Sequence, residues 1–369
     1  MKARLVAIAA LATVVAAALV FTACTGSAYA PQSGELTSRS GANDSGNLLG
    51  AGATFPSIVY QAWFYDYHQK FAPGVQINYQ SIGSGGGIQQ FTEGLTDFGA
   101  TDAPMSDADL ARAPDTLHLP TVLGAVVLTY NLGGLEQPLR LDGETTAALF
   151  LGEITMWDDP RLAALNPGVT LPSVPVRVVY RTDGSGTSFV FTDWLSKLSP
   201  EWNARVGTSK NPNWPTGFGG KGNEGVTQVV AQTPGAIGYV ELNYASAKQL
   251  AFADVRNRAG TFVRPSIDTV SAAAAGVVLP EDYRVSITNP DGEDAYPIAT
   301  FTFLLLHKDA EHCARQRVLV HFLWWAYHDP ASIELTRSLL YAPLPPTVLT
   351  RVDASLRGLT CDGGTPVVE

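Results

Sequence analysis

The sequence predicts an α/β protein built as two domains, and three observations carry that prediction. Short alternating strands hand over repeatedly to helical segments across turns rich in glycine and hydroxyls. A later strand, Phe301–Leu306, is apolar at nearly every position, as expected of a strand buried on both sheet faces. The stretch that follows residue 47, roughly 320 residues, exceeds one comfortable core.

The chain starts with Lys2 and Arg4, continues as an uncharged run of Ala, Val and Leu, and reaches Phe21-Thr-Ala-Cys24. This is the pattern of an export signal, residues 1–23. Residues 21–24 resemble a bacterial lipobox, with Phe21 where Leu is usual, so Cys24 is the expected lipidation site, carrying acyl groups such as palmitate. A conventional cut after Ala30 competes, although Pro31 would then follow it. Residues 24–47 are rich in Ser, Gly and polar types and read as a flexible tether that holds a folded body off the extracytoplasmic face of the cell membrane. The whole chain has a net charge of −10, which becomes −12 once Lys2 and Arg4 leave with the leader. That balance argues against a nucleic-acid partner. An anionic ligand is compatible with it only if recognition is local, through oriented NH groups and a single Arg.

The body begins at Leu48. Gly50–Pro56 forms a strand and turn leading into a helix with Val59, Trp63, Tyr67 and Phe71 on one side, so Thr54 and Phe55 sit beside the unpaired NH groups of a helix start. Val75–Gln80 alternates as a strand and runs into Ile82-Gly-Ser-Gly-Gly-Gly87, with Ser84 as its hydroxyl and a helix from Ile88. Asp97–Asp102 is a short strand ending in a carboxylate, and Ser106 with Asp109 fits a capping box for the next helix. Ala125–Tyr130 is a strand. The strand of residues 175–181 then delivers Arg181 to the turn Asp183-Gly-Ser-Gly-Thr187, and a helix follows. Glycines there allow close backbone approach, the helix start presents NH groups, and Ser185, Thr187 and Arg181 add donors suited to an oxyanion. Trp214–Gly225 reads as a surface turn, Pro234–Val240 as a strand, and Val318–Tyr327 as a core helix. Alone, each Gly-rich turn also fits an ordinary capped helix. Four of them at strand carboxyl ends share one crevice in an open α/β sheet.

Several chemistries are excluded or weakened. Gly220-Lys221 is followed by Gly222, so there is no Walker loop; position 88 is Ile, so there is no dinucleotide fingerprint; and position 183 is Asp, which breaks the G-x-S-x-G elbow around Ser185. His307, His312, His321 and His328 show no metal-ligand spacing, and no cofactor is expected. With Cys24 lipidated, Cys313 and Cys361 remain, and an oxidising compartment favours their pairing.

Gly50–Pro56, Ile82–Gly86, Asp97–Pro104, Asp183–Phe191, Gly219–Asn223 and Pro234–Glu241 together resemble, in the same order, the phosphate-binding lipoproteins and periplasmic proteins of the high-affinity ABC phosphate importer. The similarity runs from about residue 48 to 345. It implies a two-lobed periplasmic-binding-protein fold with two crossover strands and a ligand cleft between the lobes, lobe I being 48–124 with 299–369 and lobe II 125–298. It further implies a monomer, not an enzyme, that binds one inorganic phosphate and serves the permease and ATPase subunits of the importer. Carried over residue by residue, the phosphate contacts are Thr54, Phe55, Ser84, Asp102, Arg181, Ser185, Gly186 and Thr187, with Asp183 holding Arg181. Tyr180 stands where some relatives have a second basic residue. An ionised Asp102 would accept a hydrogen bond from protonated phosphate and oppose an acceptor oxygen of sulfate, which supplies selectivity. A phosphatase using Ser185 or Asp102, and a surface adhesion or sensing protein on the same fold, are the competing readings.

Overall fold

In the computed structural model residues 36, 37 and 39–368 are described; the leader, Cys24 and most of the expected tether lie outside them. The framework is a nine-stranded mixed sheet: β1 (Ser45–Gly52), β2 (Gly74–Ser81), β3 (Phe98–Thr101), β4 (Thr116–Tyr130), β5 (Arg177–Arg181), β6 (Phe218–Gly220), β7 (Ala236–Glu241), β8 (Ala251–Phe252) and β9 (Ala299–His307). The order is β2-β1-β3-β9-β4-β7-β5-β6, with β8 also on β4. β1 runs parallel to β2 and β3, and β5 runs parallel to β6 and β7. Two parallel groups are thus joined through the antiparallel β9 and β4.

β4 makes that join physically. Its first part, up to Ala125, pairs with β9, and residues 126–130 pair with β7. All fifteen residues of β4, and eight of the nine in β9, are buried, as a sheet covered on both faces requires. β4 starts well before the Ala125 expected from sequence and runs through Pro120, which has no NH to give to a ladder. The register against β9 shifts between Thr302 and Phe303, opposite Pro120, so a bulge absorbs the missing NH and Thr121 Oγ1 bonds the Thr302 carbonyl at 3.2 Å.

Several other expectations change at their edges. The tether was expected to run to Asn47, but residues 45–47 already belong to β1, paired from Ser45↔Gly74, and the buried Asp44 lies 2.7 Å from His321 Nδ1. Ladder bonds are made by backbone, so Ser45, Gly46 and Asn47 form strand although all three are exposed and none is apolar and large. The second helix begins at Ser84, not Ile88: three glycines form its first turn. The Ser106–Asp109 capping box is present. Cys313 and Cys361 form a disulfide that ties the helix Cys313–His328 to the C-terminal strand pair. The aromatic residues of that helix, Trp324, Trp325 and Tyr327, are buried core. The described residues fall in one compact unit, Glu35–Glu369.

Candidate functional site

β1, β2 and β3 run opposite to β5, and because the first group joins the early part of β4 and the second its later part, their carboxyl ends face each other near the middle of β4 and deliver Thr54–Phe55, Ser84, Asp102 and Arg181–Thr187 respectively. Thr54, Phe55, Ser84, Asp102, Arg181, Ser185 and Thr187 are each buried.

Arg181 is gripped by Asp183, Nε to Oδ1 at 2.8 Å and Nη2 to Oδ2 at 2.5 Å, which fixes the plane of the guanidinium and leaves Nη1 beside Thr187 Oγ1 at 3.3 Å. Burial would weaken its charge, but the Asp183 carboxylate holds the Arg181 pKa above its ordinary value. Asp183 is desolvated in turn, and the Arg181 bonds together with the Gly222 NH at 3.0 Å keep its pKa low. The pair is therefore ionised and mutually neutralised.

The helix Gly186–Leu198 is capped by Ser185, whose Oγ accepts from the Ser188 NH at 3.0 Å. Of its first NH groups, that of Gly186 donates to Ser84 Oγ at 3.1 Å, and that of Thr187 has no protein acceptor among the described residues. The Phe55 NH is likewise without one. Ser84 Oγ accepts from Asp102 NH as well, at 3.2 Å. Gly186 must be glycine for this approach, since a Cβ there would fall 2.5 Å from Ser84 Oγ and 2.6 Å from Asp102 Oδ2.

Asp102 is buried, and its Oδ1 accepts from Thr302 Oγ1 at 2.8 Å. Burial raises its pKa to about 7, against the opposing pull of the Thr302 and Ser84 hydroxyls and the Arg181 charge. From the sequence this carboxylate is expected to be ionised at neutral pH; in the folded chain burial keeps part of it as the neutral acid there.

All nine residues singled out from sequence come together. One more does that sequence reasoning placed in a surface turn. Asn223 is fully buried at the start of the helix Gly222–Gln232; its Nδ2 donates to Thr54 Oγ1 at 2.8 Å and to Thr187 Oγ1 at 3.3 Å, and its Oδ1 accepts from the Glu241 NH at 3.0 Å. The surface-turn reading of 214–225 is thereby corrected. The Gly-Gly-Lys-Gly run looks solvent-facing, but its glycines let the chain fold back under the site and bring Asn223 in. The turn from Thr54 and the loop at Gly184 also meet the opposite half of the sheet directly, through Asn223 and through Gly85 NH to Gly184 O at 2.9 Å. Tyr180 stacks on Trp214 at 5.3 Å and adds no charge. An open surface cavity lined by Asp97, Asp115, His307 and Arg315 shares no residue with this constellation.

Chemically, the arrangement offers oriented NH and OH donors, one Arg whose charge is balanced, and one carboxyl able to donate or accept. Ser185 Oγ is occupied as a helix cap, and among the described residues no base is hydrogen-bonded to it.

A family profile described as a PBP superfamily domain matches residues 37–329. The phosphate-binding protein PstS of Pasteurella multocida is 43% identical over 312 residues, 83% of this chain and 89% of that protein. The PstS of Xylella fastidiosa is 39% identical over 332 residues, 89% and 88% of the two chains. Among solved structures, a high-affinity periplasmic phosphate-binding protein (PfluDING) bound with phosphate aligns at a TM-score of 0.70 and 22% identity, over 84% of this chain and 93% of that one. That last likeness is one of fold, and it matches the two-lobed architecture.

Proposed function

Since the chain belongs to the PBP superfamily and, within it, to the PstS phosphate-binding proteins, we propose that it is an extracytoplasmic receptor that binds one inorganic phosphate between its lobes and delivers it to an ABC-type permease and its ATPase. It is a binding protein, not an enzyme. The observation that carries the reading is that a neutralised Arg181, the carboxyl of Asp102 and the NH groups of Phe55 and Thr187, which have no protein acceptor among the described residues, belong to one buried cluster linked through Thr187, Asn223 and Ser84. Such a site holds an oxyanion by local dipoles in an acidic protein.

In this reading Thr54, Phe55, Ser84, Arg181, Ser185, Gly186 and Thr187 surround the phosphate, Asp102 meets its proton, and Asp183 fixes Arg181. Lobe I is 48–124 with 299–369, extended by the residues of β1 that precede 48, and lobe II is 125–298; β4 and β9 carry the hinge. The protein works as a monomer. Cys24, outside the described residues, holds the lipid anchor. Among the described residues no helix is long and apolar enough to cross a membrane.

The test is calorimetric titration of the ligand-stripped protein with phosphate and with sulfate. Tight binding of phosphate and weak binding of sulfate at pH 8 is the expected result. A folded, stripped sample giving no phosphate heat refutes it. Acyl labelling that survives Cys24→Ala would refute the anchor.

A further inference from the structure

Behind the anion site lie two tyrosines and a glutamate that no motif marks. Tyr244 Oη donates to the Thr54 carbonyl at 2.7 Å, and Tyr341 Oη lies 2.7 Å from the Phe55 carbonyl. The peptide plane between Thr54 and Phe55 contains both the Thr54 carbonyl and the Phe55 NH, on opposite sides of a trans bond. A bond that holds the carbonyl back into the protein therefore aims the NH the other way. The next plane, between Phe55 and Pro56, has no NH, and the Tyr341 bond to its carbonyl holds the other side of Phe55, so both planes that flank the residue are anchored from behind.

A proton count bears on the state of the third member. Tyr341 Oη is 2.7 Å from the Phe55 carbonyl and 3.0 Å from Glu241 Oε2, and one phenolic proton does not make a well-aligned bond to both. The carbonyl has no proton to give. The second contact is made if Glu241 Oε2 carries a proton and donates it to Tyr341 Oη, while still accepting from the Asn243 NH at 2.9 Å. Glu241 Oε1, buried and without a partner, fits the carbonyl oxygen of a neutral acid and would be costly on a carboxylate. Burial of Glu241 acts in the same direction and raises its pKa well above the usual range, against the pull of the Asn243 and Tyr244 NH groups and the Tyr341 hydroxyl, with the nearby Asp102 adding to the rise. The other ionisable groups facing this cluster are Glu224, Arg181 and Tyr79, all near Tyr244.

We propose that Tyr244 and Tyr341, the latter backed by a protonated Glu241, are positioning residues of the anion site that fix the Phe55 NH toward the ligand. This rests on the receptor reading above. Tyr244 and Glu241 come from the β7 side of the sheet and Phe55 from the β1 side, so the Tyr244 bond that aims the NH exists only while the two halves lie together, whereas Tyr341 lies in the same lobe as Phe55.

The experiment uses the full chain carrying Tyr244→Phe, Tyr341→Phe or Glu241→Gln, titrated with phosphate and sulfate, with the Phe55 amide followed by nitrogen-15 NMR. Loss of one well-aimed donor to an anion weakens phosphate by about 10-fold or more in each tyrosine variant. Sulfate weakens in parallel, because Asp102 is untouched, and the Phe55 amide proton of the phosphate-loaded protein moves upfield. Unchanged affinity with an unmoved Phe55 resonance in both tyrosine variants overturns the proposal. A wild-type chain that binds no phosphate would instead remove the receptor reading, and the Phe55 resonance of ligand-free wild type against Tyr244→Phe then decides the positioning claim. For the proton, infrared spectra at pH 8 in an Asp102→Asn background should show a protonated-acid carbonyl band that disappears on adding Glu241→Gln; absence of the band refutes the protonated state.

Discussion

Sulfate affinity should fall with rising pH while phosphate affinity does not, and Asp102 is the reason. Its folded pKa is about 7, raised by burial. Below that value the group is a carboxylic acid whose OH can donate to any oxyanion oxygen, sulfate included. Above it, sulfate can be held only if the carboxylate first takes up a proton, at a cost of about 1.4 kcal/mol, or tenfold in affinity, per pH unit. From pH 7 to 8.5 this comes to about 2 kcal/mol, roughly a 30-fold loss. A bound dianion would raise the Asp102 pKa further, so the loss starts at or above pH 7. Hydrogen phosphate brings its own proton across the whole range and meets the carboxylate as a donor, so its profile lacks the slope. Asp102→Asn installs a permanent donor: sulfate binding becomes stronger and flat in pH, and the phosphate preference collapses. The assay is calorimetric titration of both anions into stripped wild-type and variant protein at pH 6 to 8.5. A flat sulfate profile in the wild type, or a slope that persists in Asp102→Asn, would refute the assignment.

Gly186→Ala should leave the chain folded and weaken phosphate by about 10- to 100-fold, the scale of overpacking, because its Cβ would stand 2.5 Å from Ser84 Oγ and 2.6 Å from Asp102 Oδ2. Calorimetry beside a thermal melt separates the two effects. Asn223→Ala removes the donor to Thr54 and Thr187 and orphans the Glu241 NH, so stability should drop by about 1–3 kcal/mol in urea and phosphate binding should weaken with it. Replacing Cys313 and Cys361 by Ala opens a bridge spanning 48 residues and should cost about 4 kcal/mol in the chain-entropy model, with phosphate affinity within about twofold because the bridge lies on the C-terminal strands away from the cleft. Phosphate binding should also vary little between about 0.05 and 0.5 M salt, since the Arg181 charge is buried and balanced by Asp183; a steep decline would show that a long-range field does the attracting.

The parts of the site legible in the sequence are those in which one short segment supplies both the geometry and the chemistry. Arg181, Asp183 and Ser185 lie within five residues of each other, on a strand end, a turn and a helix cap, so local spacing alone implies an anion cradle. Asp102 is legible as a carboxylate at a strand end, but its protonation is not, because that depends on desolvation by distant chain. Asn223 reaches Thr54 across 169 positions, Tyr244 reaches the Thr54 carbonyl across 190, and Tyr341 reaches the Phe55 carbonyl across 286. An Asn in a Gly-rich loop and a Tyr among apolar neighbours carry no local mark of such roles. The same contrast explains β4: residues 125–130 announce themselves by composition, whereas the part around Pro120 is strand only because a bulge against β9 relieves the proline.

This division has a physical cause that also accounts for an acidic chain holding an anion. The groups that face the ligand must be oriented dipoles, and short turns at strand ends supply them cheaply in sequence terms. What keeps those dipoles fixed, and what decides whether Asp102 or Glu241 holds a proton, is the low-polarity packing of both halves of the sheet around them. That packing is made by residues far apart in the chain, so it appears only when the fold is complete. The Arg181–Asp183 pair is the intermediate case. Its partners are two positions apart and legible as a pair, yet its neutrality inside the site, which lets the NH groups rather than net charge hold the ligand, follows from the burial of Arg181 and the partial burial of Asp183.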